Sequence, residues 1–297
     1  MSTLCGESTY PMCDIALPYP LGHSGPVTVD PAGTPPPASN NPDAHPAAPL
    51  PPRLLRAEVL LVLGVSLGQS AIYALVTITA RLTADRPLGQ QTATMNASQS
   101  ARPWLDLTYQ LLGIFFALVP VLLAVHLLSR DRADARARLG LDARSPLRDL
   151  AWGAALAAAI GLPGLGLFWI AALLGLNASL VPAALPQLWW TVPVLILAAA
   201  QNAILEEVIV VGYLMTRLRQ LGWRIGAVIA TSCLLRGTYH LYQGFGAFVG
   251  NVIMGVVLSL FFLRTRRVMP LIIAHTLLDV FAFVGYALLP RDWFSWL

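Results

Sequence analysis

The chain has 297 residues, of which 56% are hydrophobic and 11% are charged, and its mean hydropathy is +0.65. This composition excludes an ordinary water-soluble domain, because such domains carry about 25% charged residues. The net charge of +4 rests on arginines alone, since no lysine is present, and their scatter among short loops argues against a nucleic-acid-binding surface.

Residues 1–52 are predicted to form a disordered, proline-rich tail. They contain tracts such as PAGTPPPASNNPDAHPAAPLPP, which lack the apolar periodicity that offsets the chain entropy lost on folding. No apolar segment follows a basic start, so the sequence predicts no signal peptide here. The three cysteines of the chain, Cys5, Cys13 and Cys233, show neither metal-site nor disulfide spacing.

Residues 53–297 are predicted to form a transmembrane domain. A bilayer-spanning helix needs about 20 mostly apolar residues, and the sequence offers seven such runs. The predicted fold class is therefore all-α, a polytopic transmembrane helix bundle of about seven spans. The predicted spans are 54–80, 104–128, 150–175, 187–216, 225–243, 246–263 and 268–289.

The arginines between the spans predict the orientation of the chain in the cell membrane. If the N-terminus is cytoplasmic, fourteen arginines fall in cytoplasmic segments and four fall outside, as the positive-inside rule requires. The sequence therefore predicts a multi-pass protein with a cytoplasmic N-terminus and an external C-terminus. The loop 130–148 is expected to be either an amphipathic segment at the inner surface or a solvated loop.

Two adjacent carboxylates and one arginine lie deep inside the predicted spans. Glu206 and Glu207 are adjacent in an apolar helix, and Arg236 lies in the next span. A charge at this depth costs about 3 kcal/mol or more, so Arg236 is expected to have an acidic partner. Neighbouring helix positions point about 100° apart, which predicts separate tasks for the two carboxylates, such as general base or acid catalysis.

Two histidines and an aspartate complete a candidate site. His240 follows Arg236 by four residues and Asp279 follows His275 by four, so each pair shares one helix face. A single histidine in a span often makes only a helix-to-helix hydrogen bond, but four such groups together favour a functional site. Asn202, four residues before Glu206, is the best supporting residue. Tyr239, Tyr242, Gln243 and Asn251 are interpreted as helix packing.

The same residues resemble the CAAX protease and bacteriocin-processing family of intramembrane endopeptidases. The family pattern is EExxxR, then FxxxH, then HxxxN or HxxxD on later helices, and the resemblance covers about residues 145–290. Glu206 with Glu207, His240, and His275 with Asp279 match these three motifs in order.

The sequence departs from the family pattern at two positions. Val211 stands where the arginine of EExxxR is expected, and Arg236 stands where the phenylalanine of FxxxH is expected. Losing the arginine alone would leave Glu207 without a counter-charge in apolar surroundings. We therefore expect Arg236 to supply that cation from the neighbouring helix, the competing interpretation being a degraded enzyme.

The resemblance implies hydrolysis of a peptide bond without a cofactor. Glu206 would activate a water molecule with the help of His240, and His275 with Asp279 would stabilise the oxyanion. The substrate would be a peptide or membrane protein, and a prenylated one is among the options. A zinc enzyme using Glu206, His240 and His275 remains open, as do a proton-coupled transporter and a non-catalytic membrane scaffold.

Overall fold

The computed structural model describes residues 50–131 and 134–290, and helices predominate in this part of the chain. The predicted tail lies outside the described residues except for its last three, and the first helix begins at Pro52. The α-helices are α1 (Pro52–Gly64), α2 (Leu67–Leu82), α3 (Pro103–Ala117), α4 (Val119–Asp131), α5 (Ala135–Arg138), α6 (Pro146–Leu173), α7 (Thr191–Glu206), α8 (Met215–Gln220), α9 (Ile225–His240), α10 (Phe245–Thr265) and α11 (Met269–Leu288).

The all-α transmembrane bundle predicted from the sequence is confirmed. Among the described residues, five helical segments are long and apolar enough to cross a bilayer. They are Pro103–Arg130, Pro146–Leu173, Thr191–Gln220, Phe245–Thr265 and Met269–Leu288. Many large apolar side chains on these segments are exposed, as expected where lipid tails are the surrounding solvent.

The first predicted span, 54–80, is a broken helix. Helices α1 and α2 meet at an angle of 56° and would together form a sixth span. The break falls in the sequence Gly64-Val65-Ser66-Leu67-Gly68, and glycine–serine pairs are a common cause of kinks. At Gly68 a β-carbon would lie 2.8 Å from the carbonyl oxygen of Leu63, so the bend requires glycine there.

The fifth predicted span, 225–243, is shorter than a membrane-spanning helix. Helix α9 has 16 residues, about 24 Å at 1.5 Å per residue, against a hydrocarbon core of about 30 Å. A short 3₁₀ turn, Leu241–Gln243, follows it, and Gly244 then reverses the chain with a φ of 124°. Helix α9 packs against α2 and α10, so protein surrounds much of it.

A π-helix joins α7 to α8 in the middle of the bundle. It comprises Glu207–Leu214, and every one of its eight residues is buried. The run from Val208 to Val211 is entirely β-branched, and such residues crowd an α-helical turn. Ser232 on α9 donates a hydrogen bond to the carbonyl of Val210 and so stabilises this unusual backbone.

Two short strands, which were not predicted, pair at one end of the bundle. Strands β1 (Thr92–Ala97) and β2 (Ser179–Ala184) form a two-stranded parallel sheet. Each strand lies in a connection between helices, β1 between α2 and α3 and β2 between α6 and α7. The sheet thus links two loops that are far apart in the sequence.

The described part of the predicted loop, residues 134–148, is folded against the turn between α10 and α11. The backbone amide of Val268 donates to the carbonyl oxygen of Leu139 at 2.8 Å. Arg267 contacts Asp149 through two nitrogens, at 2.8 and 2.6 Å, and Asp142 at 3.1 Å. Ala135 and Leu139 are buried whereas Arg136 and Arg138 are exposed, so the described part of this loop has the two faces of an amphipathic segment and is not a free solvated loop.

Hydrogen bonds at this turn alter the acid–base properties of its charged groups. The backbone amide of Arg144, together with the guanidinium of Arg267, lowers the pKa of Asp142 below its ordinary value. The carboxylate of Asp149 raises the pKa of Arg267. A carboxylate with a lowered folded-state pKa contributes stability at neutral pH and loses it only as the pH falls through that value.

We expect Arg267→Gln to lower the thermal unfolding midpoint of the detergent-solubilised protein. The substitution leaves the buried carboxylate of Asp149 without its bidentate partner, and removing one partner of a buried pair costs about 3 kcal/mol. Arg264→Gln is the matched control, because Arg264 is exposed on the same turn. Equal midpoints for the two variants would show that the Arg267 contacts do not hold the loop.

Candidate active site

The candidate site centres on the buried guanidinium of Arg236. Its Nη1 lies 3.1 Å from Oε2 of Glu206, and its Nη2 lies 2.7 Å from Oε1 of Glu207. The cross-helix ion pair expected between Arg236 and Glu207 is therefore present, and Glu206 is a second partner. Adjacent carboxylates can share this cation because a guanidinium presents its donors as a planar fork.

Glu207 is held between two helices. Its Oε1 also lies 2.8 Å from Nδ1 of His275 on α11, and its side chain is fully buried. Glu207 is the first residue of the π-helix, whereas Glu206 is the last residue of α7. The change in helix type therefore falls between the two carboxylates, which share Arg236 and His275 as neighbours.

Glu206 faces the end of α9. The hydroxyl of Tyr239 donates to Oε2 of Glu206 at 2.8 Å, and Nε2 of His240 lies 3.6 Å from Oε1. The sequence interpreted Tyr239 as helix packing, and the structure adds a contact between its hydroxyl and the central carboxylate. Its position three residues after Arg236 and next to His240 was the available signal in the sequence.

His275 and Asp279 lie on one face of α11, as predicted. Nε2 of His275 is 3.8 Å from Oδ1 of Asp279 and 4.0 Å from Oε2 of Glu206. Asn202 donates to Oδ2 of Asp279 at 3.5 Å, so it supports Asp279 and not Glu206, the residue from which it was predicted. All five residues predicted as catalytic, and both supporting ones, thus belong to one polar cluster.

Gln243 extends this cluster beyond His240. Its side-chain amide lies 3.4 Å from Nδ1 of His240 and donates to the hydroxyl of Tyr242 at 2.9 Å. The ring of Tyr239 lies 4.9 Å from that of His240. These contacts orient the imidazole, so Gln243 and Tyr242 lie next to the candidate site.

Three buried polar atoms of the cluster have no hydrogen-bond partner among the described residues. They are Oε2 of Glu207, Nε of Arg236 and Nε2 of His240. Buried polar groups without partners are costly and mark places where a substrate or water can bind. The cluster is thus only partly satisfied by the protein itself.

The ligand atoms closest together in the cluster belong to Glu206, Glu207 and His275, within 4.8 Å of one another. This group differs from the zinc ligands considered from the sequence, in which His240 replaced Glu207. Both carboxylates already contact Arg236, and Nδ1 of His275 is engaged with Glu207. The positive charge of Arg236 beside these ligand atoms would repel a zinc dication, so these residues fit a resident zinc ion poorly.

A groove opens beside the cluster between α2 and α9. Its volume is about 330 Å³, and Tyr239 and Tyr242 line one side. The other side is formed by residues of α2, namely Gln69, Ser70, Tyr73, Ala74 and Thr77. Tyr239 therefore belongs both to the groove and to the cluster, which gives the polar residues a neighbouring surface for a ligand.

One comparison with known proteins finds a family model that is similar to part of the chain. Residues 188–281 match the family model described as "Type II CAAX prenyl endopeptidase Rce1-like". This match confirms the resemblance and contains Glu206, Glu207, Arg236, His240, His275 and Asp279. No curated protein and no solved structure matches the chain.

We expect Arg236→Met to destabilise the protein strongly and Glu207→Gln to restore part of that loss. Removing the cation leaves buried carboxylates without compensation, at a cost of about 3 to 5 kcal/mol. Thermal unfolding of the two single variants and the double variant measures the coupling. Arg224→Met, which changes an exposed residue at the start of the same helix, is the control. Strictly additive losses would mean that the two residues do not act as a pair.

Proposed function

We propose that the chain is an intramembrane endopeptidase, because its residues 188–281 match the family model of type II CAAX prenyl endopeptidases. The reaction is hydrolysis of a peptide bond near or within the membrane by a water molecule that Glu206 activates. The observation that carries the proposal is a pair of adjacent carboxylates held by one buried guanidinium beside two histidines.

The proposed site of water activation lies between Glu206 and His240. Their facing atoms, Oε1 and Nε2, are 3.6 Å apart, which is too long for a direct hydrogen bond but suits a water shared by both. Oε2 of Glu206 is fixed by Arg236 and Tyr239, which leaves Oε1 as the atom that accepts the proton. A positioned base of this kind contributes about 10² to 10⁴-fold to the rate.

The oxyanion would be stabilised from the α11 side of the cluster. His275 is oriented by Glu207 through Nδ1, so its Nε2 is directed towards Glu206 and Asp279. Nε2 can donate to an oxyanion only when it carries a proton, and Asp279 can donate only when protonated. If Asp279 is ionised, its role is to orient His275 instead.

Arg236 supports the mechanism as a positioning residue. It contacts Oε2 of Glu206 and Oε1 of Glu207, and it contacts none of the atoms assigned to water or substrate. We propose that it replaces the arginine expected at position 211, where the chain has a fully buried valine. The counter-charge then comes from α9, the same helix that carries Tyr239 and His240.

The substrate class follows from the location of the cluster. A peptide or membrane protein would approach through the groove between α2 and α9, because Tyr239 joins this groove to Glu206. The matched family model is named for prenyl endopeptidases, and we propose a lipid-modified or membrane-embedded peptide for this chain as well. The amide and hydroxyl groups of Gln69, Ser70 and Thr77 can hydrogen-bond an extended backbone.

The proposed chemistry uses no metal and no organic cofactor. Arg236 already supplies positive charge to both carboxylates. We propose that Glu206 and His240 activate the water molecule, which is the task that zinc has in a metalloprotease. This proposal has a direct test, because chelators remove zinc but do not affect a glutamate base.

A non-catalytic scaffold is the main alternative from the sequence. A purely structural polar network is expected to satisfy all its buried groups, since each unsatisfied one costs stability. Here Oε2 of Glu207 and Nε2 of His240 have no partner among the described residues. This observation favours a site that binds something over a network that only holds helices together.

We expect Glu206→Gln to reduce cleavage by at least about 10²-fold while the protein remains folded. The substitution keeps the shape of the side chain and removes the base. The assay uses the purified chain in vesicles with a prenylated peptide and the same peptide without the lipid, analysed by mass spectrometry. Asp85→Asn, an exposed carboxylate away from the cluster, is the matched control and should be as active as wild type.

The same assay distinguishes the metal alternatives. Activity that survives prolonged chelation supports the glutamate mechanism, whereas loss on chelation and recovery with zinc would replace it by a metalloprotease. Normal turnover by Glu206→Gln would refute the role of Glu206. Absence of cleavage by wild type together with unfolding of Glu206→Gln would favour the scaffold.

We expect Thr77→Trp to slow cleavage of a membrane peptide about tenfold or more. Thr77 lines the groove, so an indole there would occupy much of the space that the substrate needs. Val76→Trp is the matched control, because Val76 is its exposed neighbour on α2 outside the groove. Equal rates for the two variants would exclude this groove as the route of entry.

A further inference from the structure

A second cavity lies at the arginine-rich end of the bundle, away from the glutamate pair. Its volume is about 300 Å³, and it is formed by α4, the segment around α5, α8 and the end of α10. The residues that line it are Leu128, Ala135, Arg138, Leu139, Thr216, Arg219, Gln220, Phe262 and Arg266. We propose that this cavity binds the phosphate headgroup of an anionic phospholipid.

The charge of the cavity is strongly one-sided. Three guanidinium groups come from three different elements, Arg138 from α5, Arg219 from α8 and Arg266 from the residue after α10. Among the described residues, no carboxylate lines the cavity. Arg219 donates a hydrogen bond to the carbonyl oxygen of Trp223 at 2.7 Å, which holds its guanidinium without neutralising the charge. Arginine is well suited to phosphate because its planar donors match the phosphate oxygens.

The backbone at Arg266 directs two consecutive arginines to different partners. Arg266 has a φ of 55°, in the left-handed region that non-glycine residues rarely adopt and that is energetically costly. Arg267 turns towards Asp142 and Asp149, whereas Arg266 lines the cavity. Arg266 ends helix α10 in this conformation, and its backbone amide donates to the carbonyl oxygen of Phe262.

The floor of the cavity distinguishes a lipid from a free anion. This floor consists of Leu128, Leu139 and Phe262, buried apolar side chains that line the cavity together with the arginines. The membrane spans end close by, at Gln220 and Thr265, so the cavity lies where headgroups meet the hydrocarbon core. A phospholipid would place its phosphate among the arginines and its glycerol region against the apolar floor.

A lipid bound here would connect elements that carry the glutamates and the histidine of α11. Helix α8 continues the π-helix that begins at Glu207, and Arg266 precedes α11, which carries His275. An anion between Arg219 and Arg266 would thus hold these two parts of the bundle together. The proposal concerns binding, so it does not depend on the proposed peptidase activity.

The test measures lipid binding to the purified full-length chain by native mass spectrometry. Titration with phosphatidylglycerol should give one tight site, and phosphatidylcholine should bind at least tenfold more weakly. The pocket variant combines Arg138→Gln, Arg219→Gln and Arg266→Asn, asparagine being tolerated at a positive φ. Each removed arginine is expected to weaken phosphatidylglycerol binding roughly fivefold, since a surface arginine contributes about 1 kcal/mol to anionic lipid binding.

The matched control removes three arginines that do not line the cavity. It combines Arg136→Gln, Arg224→Gln and Arg264→Asn, which changes the net charge by the same amount. The control should keep the tight site within about twofold, and equal losses in both triple variants would overturn the proposal. If the pocket variant does not fold, Arg138→Gln compared with Arg136→Gln gives the same contrast on one short helix. Displacement of the lipid by millimolar inorganic phosphate would mean a free-anion site and would also overturn it.

Discussion

The arrangement of the bundle depends on one constraint, the burial of several charges in an apolar interior. An arginine and two glutamates in such surroundings are tolerable only if the cation touches both anions, and the guanidinium of Arg236 does so. This contact fixes α9 against the junction of α7 and the π-helix. His275 then brings α11 to the same point through Glu207. Three helices are therefore positioned by charge compensation as much as by packing.

Much of this site could be predicted from the sequence, because intramembrane charges are rare and must be compensated. Glu206, Glu207, Arg236, His240, His275 and Asp279 stood out against apolar surroundings, and the need of Arg236 for an acidic partner followed from the cost of burying it. Their roles in catalysis remain proposals. Tyr239 was missed because a tyrosine in a span is ordinarily explained by packing, and only its hydroxyl contact with Glu206 reveals more.

The parts of the fold that could not be predicted depend on local backbone geometry. Hydropathy located the first span but not its break at Ser66, since an apolar run looks the same whether straight or bent. The short strands Thr92–Ala97 and Ser179–Ala184 pair across a long stretch of sequence, which no local pattern encodes. The length of helix α9 was also overestimated, because Leu241 and Tyr242 continue the apolar run beyond His240, where the α-helix gives way to a 3₁₀ turn.

The π-helix changes the directions in which the long span Thr191–Gln220 presents its charged side chains. In a continuous α-helix, Glu206 and Arg217 would be eleven residues, or about three full turns, apart and would project from nearly the same side. In this protein they address different neighbours, since Glu206 contacts α9 while Arg217 contacts Glu58 of α1 and the carbonyl oxygen of Leu127 on α4. Because π turns are wider than α turns, the π-helix rotates the side chains that follow it about the helix axis relative to those that precede it. A single continuous segment can thereby present one charged side chain to each half of the bundle at different depths.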